Sequence, residues 1–295
     1  MKQVLVLGGT KFFGKKLVQL LLEKGAEVTI ATRGKESDEF GHKVKRLMID
    51  RENKASLEQS FQDQSWDVVY DQSCYSPQEA LDTVQALNGK VKRYIFTSTM
   101  AVYDFGLNRI EEDFNPYEFN FEYKSRSQYP GFYGYQEAKR AAEAVLFAQK
   151  DLDVVAVRFP IVISKDDYTE RLKFHVDKVL NGESIGIPNV HERFSFILAN
   201  EAAQFLYEIG ASSYTGPINP GSKGSISLAE ILNKIETVTN KKALVEEELT
   251  KENASPYAMP GSLEINTDKA VGMGSRFSNL NETIDELIAY YIENR

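Results

Sequence analysis

Tyr135 and Lys139 stand four residues apart in "GYQEAKRAAEAVL", a spacing that puts both on one face of a helix. Upstream, "YIFTSTMAVYD" ends a strand-like run in three hydroxyls, Thr97, Ser98 and Thr99. Together these residues can move a proton. A free phenol ionises near a pKa of about 10, too high for a base at neutral pH, and a neighbouring ammonium favours the phenolate and lowers that value. Lys139 is placed to do this for Tyr135, and Thr99 is placed to hydrogen-bond a reacting hydroxyl or carbonyl. A chain with these Tyr and Lys frequencies holds about one Tyr-x-x-x-Lys pair by chance, and β-propensity alone accounts for the hydroxyl run. The assignment therefore rests on the order of the motifs around it.

The first of those motifs is "VLGGTKFFGKKL", Val6 to Leu17, which follows a strand-like run and opens a helical pattern. That context separates a phosphate-binding turn from a chance glycine cluster. Gly8 lets the chain turn tightly, the helix N-terminus offers N–H groups to a pyrophosphate, and Gly14 allows helix and sheet to approach. Lys11 stands where the middle glycine of G-x-x-G-x-x-G would be. An NAD site carries an acid after the second strand to bind the ribose hydroxyls. Here that strand ends "TIATRG", giving Thr32 and Arg33, with no carboxylate until Glu36. A guanidinium suits a 2′-phosphate, and Lys11 can reach it from the other side, so NADP is expected in preference to NAD. The bland alternative is that Lys11 and Arg33 are ordinary surface charges. Asp50, ending "LMID", either accepts from an adenine amino group or is a solvated turn aspartate. Lys139 can in addition hold the nicotinamide ribose, with Thr99 orienting the substrate for hydride transfer.

The elements that must position these residues show βαβ rhythm. "QVLVLGG", "EVTIATRG", "VKRLMID", "WDVVYDQS", "RYIFTST" and "DVVAVRF" are short, nearly continuous apolar strands, as expected when helices cover both faces of a parallel sheet. "SPQEALDTVQAL" reads as a helix with Ser76 as N-cap, Pro77 at its first position and Glu79 completing a capping box, and Ser227 and Glu230 repeat that signature. Between Asp104 and Gly134 the chain is aromatic, of mixed charge and without period, which marks a functional segment, either a lid or a binding surface. Helices are expected over 166–181, 200–209, 228–240 and 282–293. The fold class is thus α/β, a Rossmann-like doubly wound parallel sheet over residues 1–163, rejoined at about 197–220, with a smaller, mostly helical C-terminal substrate lobe over 164–295.

The chain has 295 residues, a net charge of −8 and a single cysteine, Cys74. The charge argues against a nucleic-acid backbone binder, and one cysteine forms no internal disulfide. His42, His175 and His191 share no ligand spacing, so no metal site is expected. The first residues are strand-like, with no signal-type segment, and no apolar run reaches the roughly 18 residues that span a bilayer, so a cytoplasmic location is expected.

In these motifs and their order, the chain resembles the extended short-chain dehydrogenase/reductases, the NAD(P)-dependent epimerase/dehydratase superfamily. "GGTKFFG" is similar to its first turn, "FTSTMAVY" to its SSxxxVY-like strand, "YQEAKRAAE" to its YxxxKxxxE helix, "VRFPIVIS" to its LRPxxVYG-like strand and "ERFSFILANEAAQF" to its RxxxHVxDxA-like segment. The resemblance implies Thr99, Tyr135 and Lys139 as catalytic residues, and a cofactor set of Gly8, Thr10, Lys11, Phe12, Phe13, Gly14, Arg33, Asp50 and Pro160. Arg193 falls on an arginine that contacts the nucleotide diphosphate in sugar-modifying members, and Lys124 and Arg126, among the aromatics of the irregular segment, join it as candidate substrate residues. Lys11 in the turn resembles the GGTRFxG subgroup, which includes chloroplast stem-loop RNA-binding proteins. "IVISKDD" and "ILANEAA" depart from the family pattern, which lessens what those positions say about substrate.

Sugar dehydratases of this type place Asp-Glu directly after the catalytic Thr, whereas Met100 and Ala101 stand here and exchange no proton. The implied activity is hydride transfer at a sugar or nucleotide-sugar hydroxyl or carbonyl. NADP-dependent reduction of a non-sugar carbonyl, or a nucleotide-sensing or RNA-binding role without turnover, are the alternatives. Relatives are commonly dimers, so a homodimer is an implied partner state.

Overall fold

The computed structural model describes residues 1–295, which divide into two compact units: 1–103, 111–159 and 200–220, and 104–110, 160–199 and 221–295. In the first unit, β1 (Gln3–Leu7), β2 (Glu27–Thr32), β3 (Val44–Met48), β4 (Val68–Asp71), β5 (Arg93–Thr99), Asp153–Phe159 and Gly216–Ile218 form one seven-stranded sheet. Its order is β3-β2-β1-β4-β5, then 153–159, then 216–218, and every pairing is parallel. The order reverses at β1, with β2 on one side and β4 on the other, and open α/β sheets bind ligands outside the carboxyl ends of the strands at such a reversal. Helices α1 (Phe12–Glu23), α2 (Lys54–Ser60), α3 (Pro77–Ala86) and α4 (Gly131–Phe147) belong to this unit. Leu5, Leu7, Val69, Tyr94 and Phe96 of the strands pack with Leu57, Ala80, Val84, Ala142 and Leu146 of the helices in one core, which explains the continuous apolar character of the strands.

The unit boundaries differ from those read in the sequence. Ile161–Ile163 follows the sixth strand but pairs with Phe196–Leu198 in the second unit, and Pro160, lacking an N–H, stands at the break. Gly106–Arg109, inside the aperiodic segment, pairs with Leu263–Ile265 and so also belongs to the second unit.

The second unit holds the helices Arg171–Asn181, Leu228–Thr239, Asp268–Gly272 and Leu280–Glu293, together with a four-stranded sheet and two strand pairs. These strands are two to four residues long, too short to show a period. The helix expected from Asp166 begins at Arg171, because the Asp167 carboxylate takes the Thr169 N–H at 3.0 Å and hydroxyl at 2.5 Å and holds a turn there. The capping box at Ser227 and Glu230 is present in both directions.

His175, wholly buried, has Nδ1 2.9 Å from the Arg171 carbonyl oxygen, Nε2 2.7 Å from the Ser255 hydroxyl and its ring stacked on Tyr257. Burial pushes its pKa down to about 4, against the opposing hydrogen bonds to the helix backbone. Between about pH 6.5 and 4 the unfolded chain therefore binds a proton that the folded chain refuses. The contribution is complete above about pH 6.5 and is lost as the pH falls, by about 2 kcal/mol at pH 5. Denaturant titrations at pH 7 and pH 5 are expected to show that loss, and His175→Gln to flatten it.

Candidate active site

Asp71 ends β4 with its carboxylate fully buried. One oxygen accepts from the N–H groups of Ser73, at 3.2 Å, and Cys74, at 3.0 Å; the other accepts from the Tyr94 hydroxyl. Arg51, from the turn after β3, closes on both oxygens and also donates to Ser73 Oγ at 2.9 Å and Thr83 Oγ1 at 3.1 Å. Ser76 caps α3 by accepting from the Glu79 N–H at 3.3 Å, but the expected capping box is not closed, because the buried Glu79 carboxylate is engaged elsewhere: it accepts from the Tyr75 N–H at 2.9 Å, lies 3.3 Å from Arg51 Nε and binds Arg126 at 2.8 and 3.0 Å. Residues 72–75 are thereby held from both sides.

That stretch touches both halves of the candidate site. Gln72 lies against the glycine turn: a Cβ on Gly14 would stand 2.0 Å from Gln72 Oε1, and one on Gly8 would lie 3.7 Å from Gln72 Cβ. Cys74 offers its carbonyl to Lys139 Nζ at 2.8 Å. Tyr75 brings its ring to Tyr135, with centroids 5.5 Å apart.

The turn takes backbone forms few residues tolerate. Gly8 and Gly9 have φ of 103° and 85°, and Phe12 has φ of 50°, a left-handed conformation that is uncommon for an aromatic residue. A Cβ on Gly9 would lie 2.8 Å from Val6, so Gly9, which the motif spacing does not single out, is as constrained as Gly8. Helix α1 opens with no acidic residue in its first turn and no side chain capping its N-terminal N–H groups. Phe13 leaves the turn to pack on Phe159, and Thr10 is half-buried beside it.

Helix α4 clamps the end of β5. Lys139 Nζ donates to the carbonyl of Thr97 at 2.8 Å as well as to that of Cys74, and lies over the Phe96 ring. Gln136 donates to the carbonyls of Ala101 and Tyr103 at 2.8 and 2.7 Å, and Arg140 to that of Val102 at 2.6 Å. These bonds fix the short helical turn Met100–Val102, which Thr99 caps by accepting from the Ala101 N–H at 3.1 Å. Thr99 and Tyr135 are both half-buried, whereas Lys139 is buried, and burial lowers its pKa against the pull of Cys74 and Asp71.

One turn further along α4, the Glu143 carboxylate accepts from Ser98 at 2.5 Å and from Arg158 at 2.7 Å, both ions fully buried. Arg158 also donates to the Tyr103 hydroxyl at 2.9 Å and to the carbonyls of Glu111 and Phe114 at 2.7 and 3.1 Å, tying down the start of the aperiodic segment. Further along, Tyr117 packs on Phe147 of α4 and Phe121 on Tyr123. The aromatics of residues 111–133 are thus in part the packing of the first unit itself.

The charged candidates have partners that their positions in the sequence do not reveal. Lys11 pairs with Glu36 at 2.9 Å, both half-exposed, while Arg33 is exposed and forms no ion pair. Asp50 is exposed and accepts from the Glu52 N–H at 3.1 Å, the hydrogen bond of a turn aspartate. Lys124 lies 3.1 Å from Glu122 and 3.8 Å from Glu137. Arg126 holds Glu79 and the Ser73 carbonyl, and so braces the site rather than standing free for a substrate. In the second unit, Arg193 directs its guanidinium to Glu230 at 2.9 Å and to the Ser225 hydroxyl and carbonyl at 3.0 and 2.7 Å, and Pro160 is buried.

With this geometry in view, the comparisons are direct: residues 4–216 match the NAD dependent epimerase/dehydratase family. The chain belongs to that family. Among curated proteins it is similar to the chloroplast stem-loop binding protein of 41 kDa b of Arabidopsis thaliana, 34% identical over 115 residues. That match spans 35% of this chain and only 30% of the relative. Among solved structures it is similar to the UDP-glucose 4-epimerase of Thermus thermophilus in complex with NAD, 16% identical, TM-score 0.70, over 99% of this chain and 100% of that one. It is also similar to the dTDP-glucose 4,6-dehydratase of Bacillus anthracis in complex with NAD, 15% identical, TM-score 0.74, over 100% and 98% of the two chains. At these identities the likeness is one of fold. No helix is long and apolar enough to cross a membrane.

Arg51, Gln136 and Arg158 are the supporting residues that motif spacing leaves out, and Glu79 reads from it only as a capping residue. Only Arg158 carries a signal, as a lone charge inside the apolar run "VVAVRF". Removing the charge at Asp71 leaves Arg51 buried with half its partners. Asp71→Asn is therefore expected to cost about 3 kcal/mol in denaturant unfolding, and Tyr94→Phe, which deletes one hydrogen bond, about 1 kcal/mol.

Proposed function

We propose that the protein is a nicotinamide-dinucleotide-dependent enzyme that oxidises and reduces a hydroxyl or carbonyl carbon of a sugar or nucleotide sugar, with Thr99, Tyr135 and Lys139 as its catalytic residues. The observation that carries this is the continuity of residues 72–75, which meet the glycine turn at Gln72, Lys139 at the Cys74 carbonyl and Tyr135 at Tyr75. The fit to a dinucleotide rests on the left-handed Gly8 and Gly9, the uncapped N-terminus of α1 and a buried amide nitrogen, Gln72 Nε2, that has no partner.

Gly8 to Gly14, including Thr10, Phe12 and Phe13, would hold the diphosphate. Lys139, with two of its three N–H groups on carbonyls, would direct the third to the nicotinamide ribose. Arg33, aided by Lys11, would bind a 2′-phosphate, which makes NADP the favoured cofactor; Glu36 opposes this by holding Lys11. The bound cofactor supplies the acceptor and donor of hydride. Tyr135, one helical turn before Lys139 on α4, takes the proton of the substrate hydroxyl and returns it to the carbonyl oxygen in the reverse direction. Thr99 donates its hydroxyl hydrogen to that same oxygen, since one of its lone pairs is already engaged by the Ala101 N–H. Epimerisation and reduction share these proton transfers. Dehydration needs a further acid and base, and Met100 and Ala101, both buried, supply neither.

RNA binding is the second reading, favoured by the similarity to the stem-loop binding protein. The charge of −8 and the pairing of Lys124 and Arg126 with carboxylates weigh against it.

Tyr135→Phe is expected to lower turnover by about 100-fold or more while dinucleotide affinity in fluorescence titration stays within a few-fold; surviving turnover would refute the assignment. NADPH is expected to bind more tightly than NADH. Arg33→Asp should reverse that preference and Glu36→Gln, by releasing Lys11, strengthen it; equal affinities in all three proteins would remove the argument for NADP.

A further inference from the structure

Gln72 is the first residue past β4, and its N–H donates to the Leu7 carbonyl at 3.1 Å, so it extends the β1–β4 pairing by one step. That places it at the point where the strand order reverses. Its amide oxygen occupies the space a side chain at Gly14 would need, and its amide nitrogen is buried with no hydrogen-bond partner. An amide donor shut away from water without an acceptor is destabilising, and such groups are few in folded proteins. The other charged and polar groups of the 71–75 stretch are satisfied by protein: Asp71 by four donors, Ser73 by Arg51, and the Cys74 carbonyl by Lys139. Gln72 is the exception, and it is the one that faces the glycines. Gly14 thus has a second duty in this chain: it leaves room for the Gln72 amide.

We propose that Gln72 is a cofactor-binding residue whose half-buried side chain turns its amide nitrogen, unpartnered in the ligand-free protein, to donate to the diphosphate of a dinucleotide held at the carboxyl ends of β1 and β4. This rests on the dinucleotide reading above. It assigns a side-chain donor to the diphosphate next to a turn in which Lys11 replaces the middle glycine, so that anchoring there is shared between backbone N–H groups of the turn and an amide from the neighbouring strand.

The test compares the full-length protein with Gln72→Met, which keeps length and loses the donor, and Gln72→Glu, which brings a carboxylate to the diphosphate. Dissociation constants are measured for the preferred dinucleotide and for adenosine 2′-monophosphate, a fragment that carries neither phosphate of the diphosphate, alongside the thermal midpoint of ligand-free protein. Gln72→Met is expected to weaken the dinucleotide about tenfold or more, to leave the fragment within twofold, and to keep or raise the midpoint, because an unsatisfied buried donor is gone. Gln72→Glu should weaken the dinucleotide further. Dinucleotide affinity within twofold of native in Gln72→Met, an equal loss for the fragment, or a midpoint lowered by several degrees would each overturn the assignment while the dinucleotide reading stands. Native protein that binds no dinucleotide would overturn both.

Discussion

The buried carboxylate of Asp71 is the constraint on which the site depends. A charge at zero exposure is tolerated only where donors surround it. Arg51, the Tyr94 hydroxyl and two backbone N–H groups provide them. The backbone pair matters most for function, because it bends residues 72–75 into one conformation at the end of β4. In that conformation three contacts, Gln72 to the turn, the Cys74 carbonyl to Lys139 and Tyr75 to Tyr135, join the glycine turn to the Tyr135–Lys139 face of α4. Glu79 and Arg126 brace the same stretch from the α3 side, so an ion-pair chain begun by Arg51 reaches the otherwise irregular 120s.

Helix α4 supplies the second fixed reference. Gln136, Lys139 and Arg140 all donate to backbone carbonyls of β5 and the turn after it. A helix held by backbone acceptors resists sliding along the sheet, and so Tyr135 keeps one position relative to Thr99. Glu143 and Arg158 continue the same face inward, where their fully buried pair binds α4 to the sixth strand and pins Phe114. One face of α4 therefore carries Tyr135 near its start and its structural anchors along the rest.

The sequence was most legible where local rules act alone. The six strand-like runs contain the first six strands of the sheet: five are continuously apolar because helices cover them, while β3, the edge strand, is mostly exposed and carries Lys45 and Arg46. The seventh, Gly216–Ile218, and every strand of the second unit are too short to carry a period. Glu79 reads as a capping residue and Arg126 as a candidate substrate cation, yet they bind each other. Their 47-residue separation leaves no local trace. Gly14 shows the same limit: its type is explained by helix–sheet approach in the sequence, while the atom that fills its missing side chain comes from Gln72. Local rules thus place the glycines, the tyrosine and the lysine, and long-range pairing decides what holds them.

The two ends of the site are built from different interactions, and this bears on how its properties can vary. The floor beneath the proton-transfer residues consists of buried ions, where loss of one partner costs roughly 3–5 kcal/mol because the other is stranded. The rim at Lys11, Glu36 and Arg33 is exposed, and pairs of that kind contribute about 0–1 kcal/mol to stability. Substitutions at the rim can redistribute surface charge with little effect on folding, whereas substitutions at the floor alter stability. Under the proposed function, discrimination between NAD and NADP is therefore physically separable from proton transfer. The half-exposed Lys11–Glu36 pair, beside an exposed Arg33 without an ion pair, is where that reading draws the separation, since a lysine held by a surface carboxylate is available to a phosphate at small cost.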